Sequence, residues 1–108
     1  MLSALPACGG SGGFPVPDGA HLVQARQSWP TTELHELEAG RKLYLSRCGN
    51  CHRPFEPGQL DAGQWPAAVT EMRDQAKLSD EQVDAITKYI VTMSKYSRRA
   101  GHPTERSQ

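Results

Sequence analysis

The sequence predicts an all-α fold of about three helices, and three observations carry that expectation. Apolar residues recur at helical spacing after Thr32 and again after Ser79. Between them, Trp65-Pro66-Ala67-Ala68-Val69-Thr70-Glu71-Met72 reads as a further helix, with Pro66 tolerated in its first turn. No stretch of the chain reads as a strand. The 108 residues suffice for one small domain, and a hydrophobic content of 37% with 6% aromatics fills only a small core. A domain of this size normally needs a disulfide, a metal or a cofactor to hold it.

Each element follows from local signals. The first helix starts near Glu33, with Thr32 as the expected N-cap and Glu33 and Glu36 placing negative charge in its first turn. Leu34, Leu37, Gly40, Tyr44 and Cys48 then share one face. In the last helix, Ser79 and Gln82 form a capping box, and Leu78 with Val83 is placed as a hydrophobic staple. Val83, Ile86, Ile90 and Met93 make its apolar stripe, with Tyr89 beside it. The rest divides simply. Residues 1–32 read as a flexible tether, rich in glycine at Cys8-Gly9-Gly10-Ser11-Gly12-Gly13 and in turn residues at Phe14-Pro15-Val16-Pro17-Asp18-Gly19. Residues 33–97 form the domain, and 98–108 a disordered tail.

The first helix runs into Cys48-Gly49-Asn50-Cys51-His52, a complete Cys-x-x-Cys-His. That pattern is the attachment signature of a c-type haem. Two cysteines three apart on one helical turn place their sulfurs under the two vinyl groups of a porphyrin, and the adjacent histidine becomes the proximal iron ligand. A zinc site would need further ligands at ligand spacing, and no second Cys-x-x-Cys or His-x-His follows. A thiol–disulfide site would sit in a βαβ pattern, which the chain lacks. The motif occurs once, so the expectation is one haem c per chain through Cys48 and Cys51, with His52 on the iron.

Gly40-x3-Tyr44-x3-Cys48-x2-Cys51-His52, together with Ile86-x2-Tyr89, resembles the class I cytochromes c, and in particular small bacterial mono-haem members that include lipoproteins. The resemblance spans about Glu33 to Tyr96. It implies that the first and last helices cross, with Gly40 and Tyr44 meeting Ile86 and Tyr89. It also implies that a proline carbonyl accepts a hydrogen bond from the proximal imidazole. Both Pro54 and Pro57 remain candidates for that carbonyl.

The distal ligand is expected to be Met72, twenty positions after His52 and on the stripe Trp65, Val69, Met72, Ala76. A thioether there favours ferrous iron relative to a second imidazole. Met93, 41 positions after His52, is the rival, and is read as packing at the helix crossing. His21 and His102 fall in tether and tail, and His35 in the solvated first turn of the first helix. Trp29 and Trp65 are read as packing residues, with Trp65 against the haem edge. Arg41, Lys42 and Arg53 are of a type that pairs with haem propionates, but are read as ordinary solvated charges.

Twelve basic residues balance twelve acidic ones, which argues against a nucleic-acid partner. No apolar run is long enough to span a bilayer. Cys8 is left over once the haem has taken two cysteines. Leu5-Pro6-Ala7-Cys8 resembles a lipobox, although only seven residues precede Cys8, so the expectation is that the recorded start lies downstream of the true one. Covalent haem is attached outside the bacterial cytoplasmic membrane, so the chain is expected in the periplasm or anchored there by lipid on Cys8. The function expected is single-electron transfer as a membrane-tethered relay, with other redox proteins as partners, and not catalysis. The alternatives are a haem domain with an open distal site, for small-ligand sensing or peroxide chemistry, and a fixed haem subunit of a larger oxidoreductase.

Overall fold

The computed structural model describes residues 14–48 and 55–99. Four helices follow in order: α1 over Gly19–Arg26, α2 over Leu34–Leu43, α3 over Trp65–Ala76 and α4 over Asp80–Arg99. A π-helical turn, Tyr44–Cys48, extends α2, and a 3₁₀ turn, Pro57–Gln59, precedes α3. The described residues hold no strand, and the all-α expectation stands.

The helix starts show how closely local chemistry sets the elements. At α4, Ser79 Oγ accepts from the Gln82 amide at 3.1 Å, and Gln82 Oε1 accepts from the Ser79 amide at 2.9 Å. The expected capping box is formed. At α2 the cap shifts by one residue. Glu33 is the N-cap and its amide donates to Glu36 Oε1 at 3.1 Å. Thr32 instead turns inward, fully buried, and its hydroxyl donates to the Trp29 carbonyl at 2.7 Å. Pro66 sits in the first turn of α3, where its missing N–H leaves no helix bond unmade.

α2 and α4 form the heart of the molecule. Gly40 lies against α4 so closely that a Cβ there would run into the Ala85 carbonyl and come within 2.8 Å of Tyr89 Cβ. Around this approach Leu37, Tyr44, Ile86, Tyr89 and Ile90 are fully excluded from water. The aromatic and aliphatic set implied by the family resemblance is therefore the core itself.

The N-terminal segment corrects the sequence reading. Residues 14–32 were expected to be tether, yet Phe14 is 7% exposed and joins the core. Tyr89 Oη donates to the Pro15 carbonyl at 2.9 Å, and Arg41 Nε to the Phe14 carbonyl at 2.9 Å. Asp18 caps α1 through the Ala20 and His21 amides, and His21 Nδ1 accepts from the Asp18 amide at 3.0 Å. Ala25 is buried, and His21 meets Tyr96 of α4 edge-on at 4.6 Å. The reason is physical. This eight-residue helix has no apolar period, so what fixes it are hydrogen bonds and contacts from residues far away in sequence. Likewise α4 continues to Arg99, two residues into the expected tail. Residues 1–13, with Cys8, and residues 100–108, with His102, lie outside the described residues.

Candidate functional site

Cys48 closes the π-helical turn at the end of α2, the kind of local widening that gathers at functional sites. Gly49 to Pro54, including Cys51, His52 and Arg53, lie outside the described residues. What the structure defines is the frame on either side of them. Tyr44, at the start of the π-helical turn, is 1% exposed, and its hydroxyl donates to the Phe55 carbonyl at 2.7 Å. Its ring lies 5.9 Å from Phe14 and 6.0 Å from Trp65, the latter edge-on. Trp65 Nε1 in turn donates to the Pro57 carbonyl at 2.9 Å in a buried bond. One side chain from α2 and one from α3 thus hold the chain where it resumes after the motif.

Arg47, next to Cys48, reaches in another direction. Its Nη1 donates to the Ala76 carbonyl at 3.2 Å and the Lys77 carbonyl at 3.5 Å. Those carbonyls end α3, where a cation is favoured by the helix dipole. Lys77 there takes a left-handed conformation, with φ of 57°, and α3 stops. Met72 lies one turn before this joint. The π-helical turn and the end of α3 are thereby tied together.

The expected stripe on α3 divides into two rows. Trp65 and Val69 are fully buried in the core. Ala68, Met72 and Ala76, spaced four apart on the next flank, are half-buried and only lean on it. Met93 is the reverse case, 1% exposed within the core of α4. Beyond the motif, Phe55 is 50% exposed and Leu60 half-buried. The π-helical turn that ends at Cys48 is tied through Arg47 to the end of α3, whose flank carries small and thioether side chains, and the motif it leads into has haem-attachment spacing. The residues fit a haem.

The other sequence candidates fall elsewhere. His21 is buried between α1 and Tyr96, and His35 is exposed. Arg41 and Lys42 line an open groove of about 460 Å³ with Val16, Pro17, His35 and Glu38. Three of its lining residues, Glu38, Arg41 and Lys42, carry charge. Trp29 is half-buried against the core. Among the described residues no cluster of three histidine, cysteine or acidic side chains could hold a bare metal ion. Burial pushes the Tyr89 phenol well above its ordinary range, an effect partly opposed by the charge and hydrogen bonding of Arg41. Sequence reasoning places Tyr44 on the buried face of the first helix and reads Trp65 as packing against the haem edge. It missed their polar ends, because a backbone carbonyl as partner leaves no signature in residue types.

Comparison with known proteins supports a cytochrome c family, through a dihaem model where the single motif led to the expectation of one haem. The family model for dihaem cytochrome c matches residues 44–108, from the π-helical turn onward. Over 61 residues the chain is 30% identical to the cytochrome c-type protein TorY of Haemophilus influenzae, a match covering 56% of this chain and 17% of that protein. The chain thus spans only a small part of that relative's length. No solved structure matches the chain at a significant level.

Proposed function

The chain belongs to the dihaem cytochrome c family, and we propose that it is a mono-haem electron relay, exported and tethered to a membrane. It is a cytochrome c-type electron carrier rather than an enzyme. The proposed number of haems rests on one observation: the chain has three cysteines and a single Cys-x-x-Cys-His. In the proposed site Cys48 and Cys51 hold the porphyrin, His52 is the proximal ligand and Met72 the distal one. A haem so ligated supplies reversible one-electron exchange at iron, with no open position for substrate.

The half-buried flank of α3 supports Met72 over Met93. A ligand must be able to leave the packing of its own helix, and Met72 leans on the core whereas Met93 is embedded in it. Arg47 strengthens the case by tying the end of α3, one turn past Met72, to the turn that carries Cys48. Pro57 gives its carbonyl to Trp65, which favours Pro54 as the acceptor for the proximal imidazole. The frame contributed by Tyr44, Trp65 and Val69 is dry, and a low-dielectric surround is what tunes a haem potential.

The partners proposed are redox proteins outside the cytoplasm. With formal net charge zero, the chain would dock through apolar contact near Phe55 rather than by long-range steering. Optical spectroscopy and haem quantitation test the reading together. One haem c per chain is expected, not extractable into acidified organic solvent. The oxidised protein should show the weak near-infrared band of iron–thioether bonding, lost in Met72→Ala and kept in Met93→Ala. Two haems per chain, or extractable haem, would overturn the stoichiometry or the attachment. The reverse mutant pattern would move the ligand role to Met93, and absence of the band from the parent would point to a histidine or an open site.

A further inference from the structure

We propose that Arg47 is a positioning residue for the distal ligand, latching the half of α3 that carries Met72 to the π-helical turn that ends at Cys48. The proposal rests on Met72 being that ligand. All of the bonding groups lie among the described residues. Arg47 Nη1 donates to the Ala76 carbonyl at 3.2 Å and to the Lys77 carbonyl at 3.5 Å, joining points 29 and 30 residues apart in sequence. Arg47 immediately precedes Cys48. Ala76 follows Met72 by one helical turn on the same flank of α3, about 6 Å along the axis.

α3 is anchored unevenly. Trp65 and Val69, both fully buried, fix its first half. In its second half Met72 and Ala76 are only half-buried, and the next buried residue, Leu78, lies beyond the left-handed Lys77. The backbone closes two carbonyls of the helix end by itself. The Leu78 amide donates to the Arg73 carbonyl at 3.0 Å, and the Lys77 amide to the Asp74 carbonyl at 3.3 Å. The Ala76 and Lys77 carbonyls lie past that closure, and one guanidinium nitrogen takes both. A cation is favoured at a helix C-terminus, and its bonds to these carbonyls are charge-assisted. Met72 thus keeps its place relative to the attachment turn through Arg47 more than through its own packing. Without the latch, the second half of α3 opens more often, and a thioether carried on it leaves the iron more often. The exchange that follows is a substitution without redox change: the iron–sulfur bond breaks and an added ligand binds in its place.

Imidazole titrated into the ferric holoprotein tests this, with the near-infrared thioether band as the readout. Arg47→Gln should keep covalent haem and show the band without imidazole, but lose it at about tenfold lower imidazole than the parent, the effect of losing one charge-assisted hydrogen bond. Arg47→Lys, a milder change that keeps the cation but not the fork, should fall between the two. Arg73→Gln is the control. It removes a guanidinium from the same end of α3, one that pairs with Asp80 instead, and it should titrate as the parent does. Parent-like titrations of both Arg47 variants would overturn the proposal. So would an equal shift in Arg73→Gln, which would show general loosening of the helix end. A parent without the thioether band would overturn the Met72 reading itself and this proposal with it, a result distinct from the other two.

Discussion

Tyr44 and Tyr89 each place a phenol inside the core and spend its hydroxyl on a backbone carbonyl of irregular chain. For Tyr89 this has a consequence for stability against pH. Burial holds its phenol protonated above the ordinary value of 10.0. An unfolded chain releases that proton first, so the stabilisation is intact below about pH 10 and is lost as pH rises toward the folded value. The slope contributed approaches about 1.4 kcal/mol per pH unit. Tyr89→Phe should be less stable at neutral pH by about 1 kcal/mol, from the lost hydrogen bond. It should also lack the added alkaline slope, so the gap between parent and variant narrows above about pH 10. Chemical denaturation of both holoproteins across that range measures the gap. A gap that stays constant would mean that ionised Tyr89 is tolerated where it stands.

At the scale of elements, the α2–α4 approach depends on the absence of one side chain. A methyl group at position 40 would enter the Ala85 backbone, which cannot rotate away as a side chain could. Gly40→Ala should therefore destabilise the holoprotein by about 1–3 kcal/mol, despite the better helix propensity of alanine. Thermal denaturation followed at the haem absorbance tests this; a neutral or stabilising result would mean that the helices separate at little cost. The Ser79–Gln82 cap and the early Pro66 were legible in the sequence because each acts within a few residues of itself, whereas Gly40, whose partners Ala85 and Tyr89 lie far along the chain, was legible only through the family resemblance. The thioether contest was only half legible. Periodicity says which face a methionine occupies, but not how deep it lies, and depth is what separates half-buried Met72 from embedded Met93. The π-helical turn and the carbonyl partners of Tyr44 and Arg47 gave no signal in residue type at all.

The whole molecule is larger than its periodic helices. α1 escaped the sequence reading because it is short and lacks an apolar stripe, yet Phe14, Ala25 and His21 are all buried. This redraws the tether. A lipid on Cys8 is part of the proposed function, and Cys8→Ser in the exported full-length protein should release the cytochrome from membranes; a variant that stays with the membrane fraction would show that Cys8 is not the anchor. Phe14 is already part of the core, so a tether carrying that lipid ends before it rather than at Thr32. Two truncations separate that boundary from the one at residue 33. Removing residues 1–13 should leave haem content, spectrum and thermal midpoint unchanged. Removing residues 1–32 takes away the Phe14 ring, whose burial alone is worth about 2–3 kcal/mol, and uncovers the face of α4 that α1 packs against. A loss of about 3 kcal/mol lowers the midpoint of a domain this small by more than about 10 °C. Because the motif, Met72 and the α2–α4 crossing all survive the longer truncation, covalent attachment should persist while stability falls. Equal midpoints for the two truncations would mean that residues 14–32 only rest on the domain, and that the leash extends to Thr32 after all.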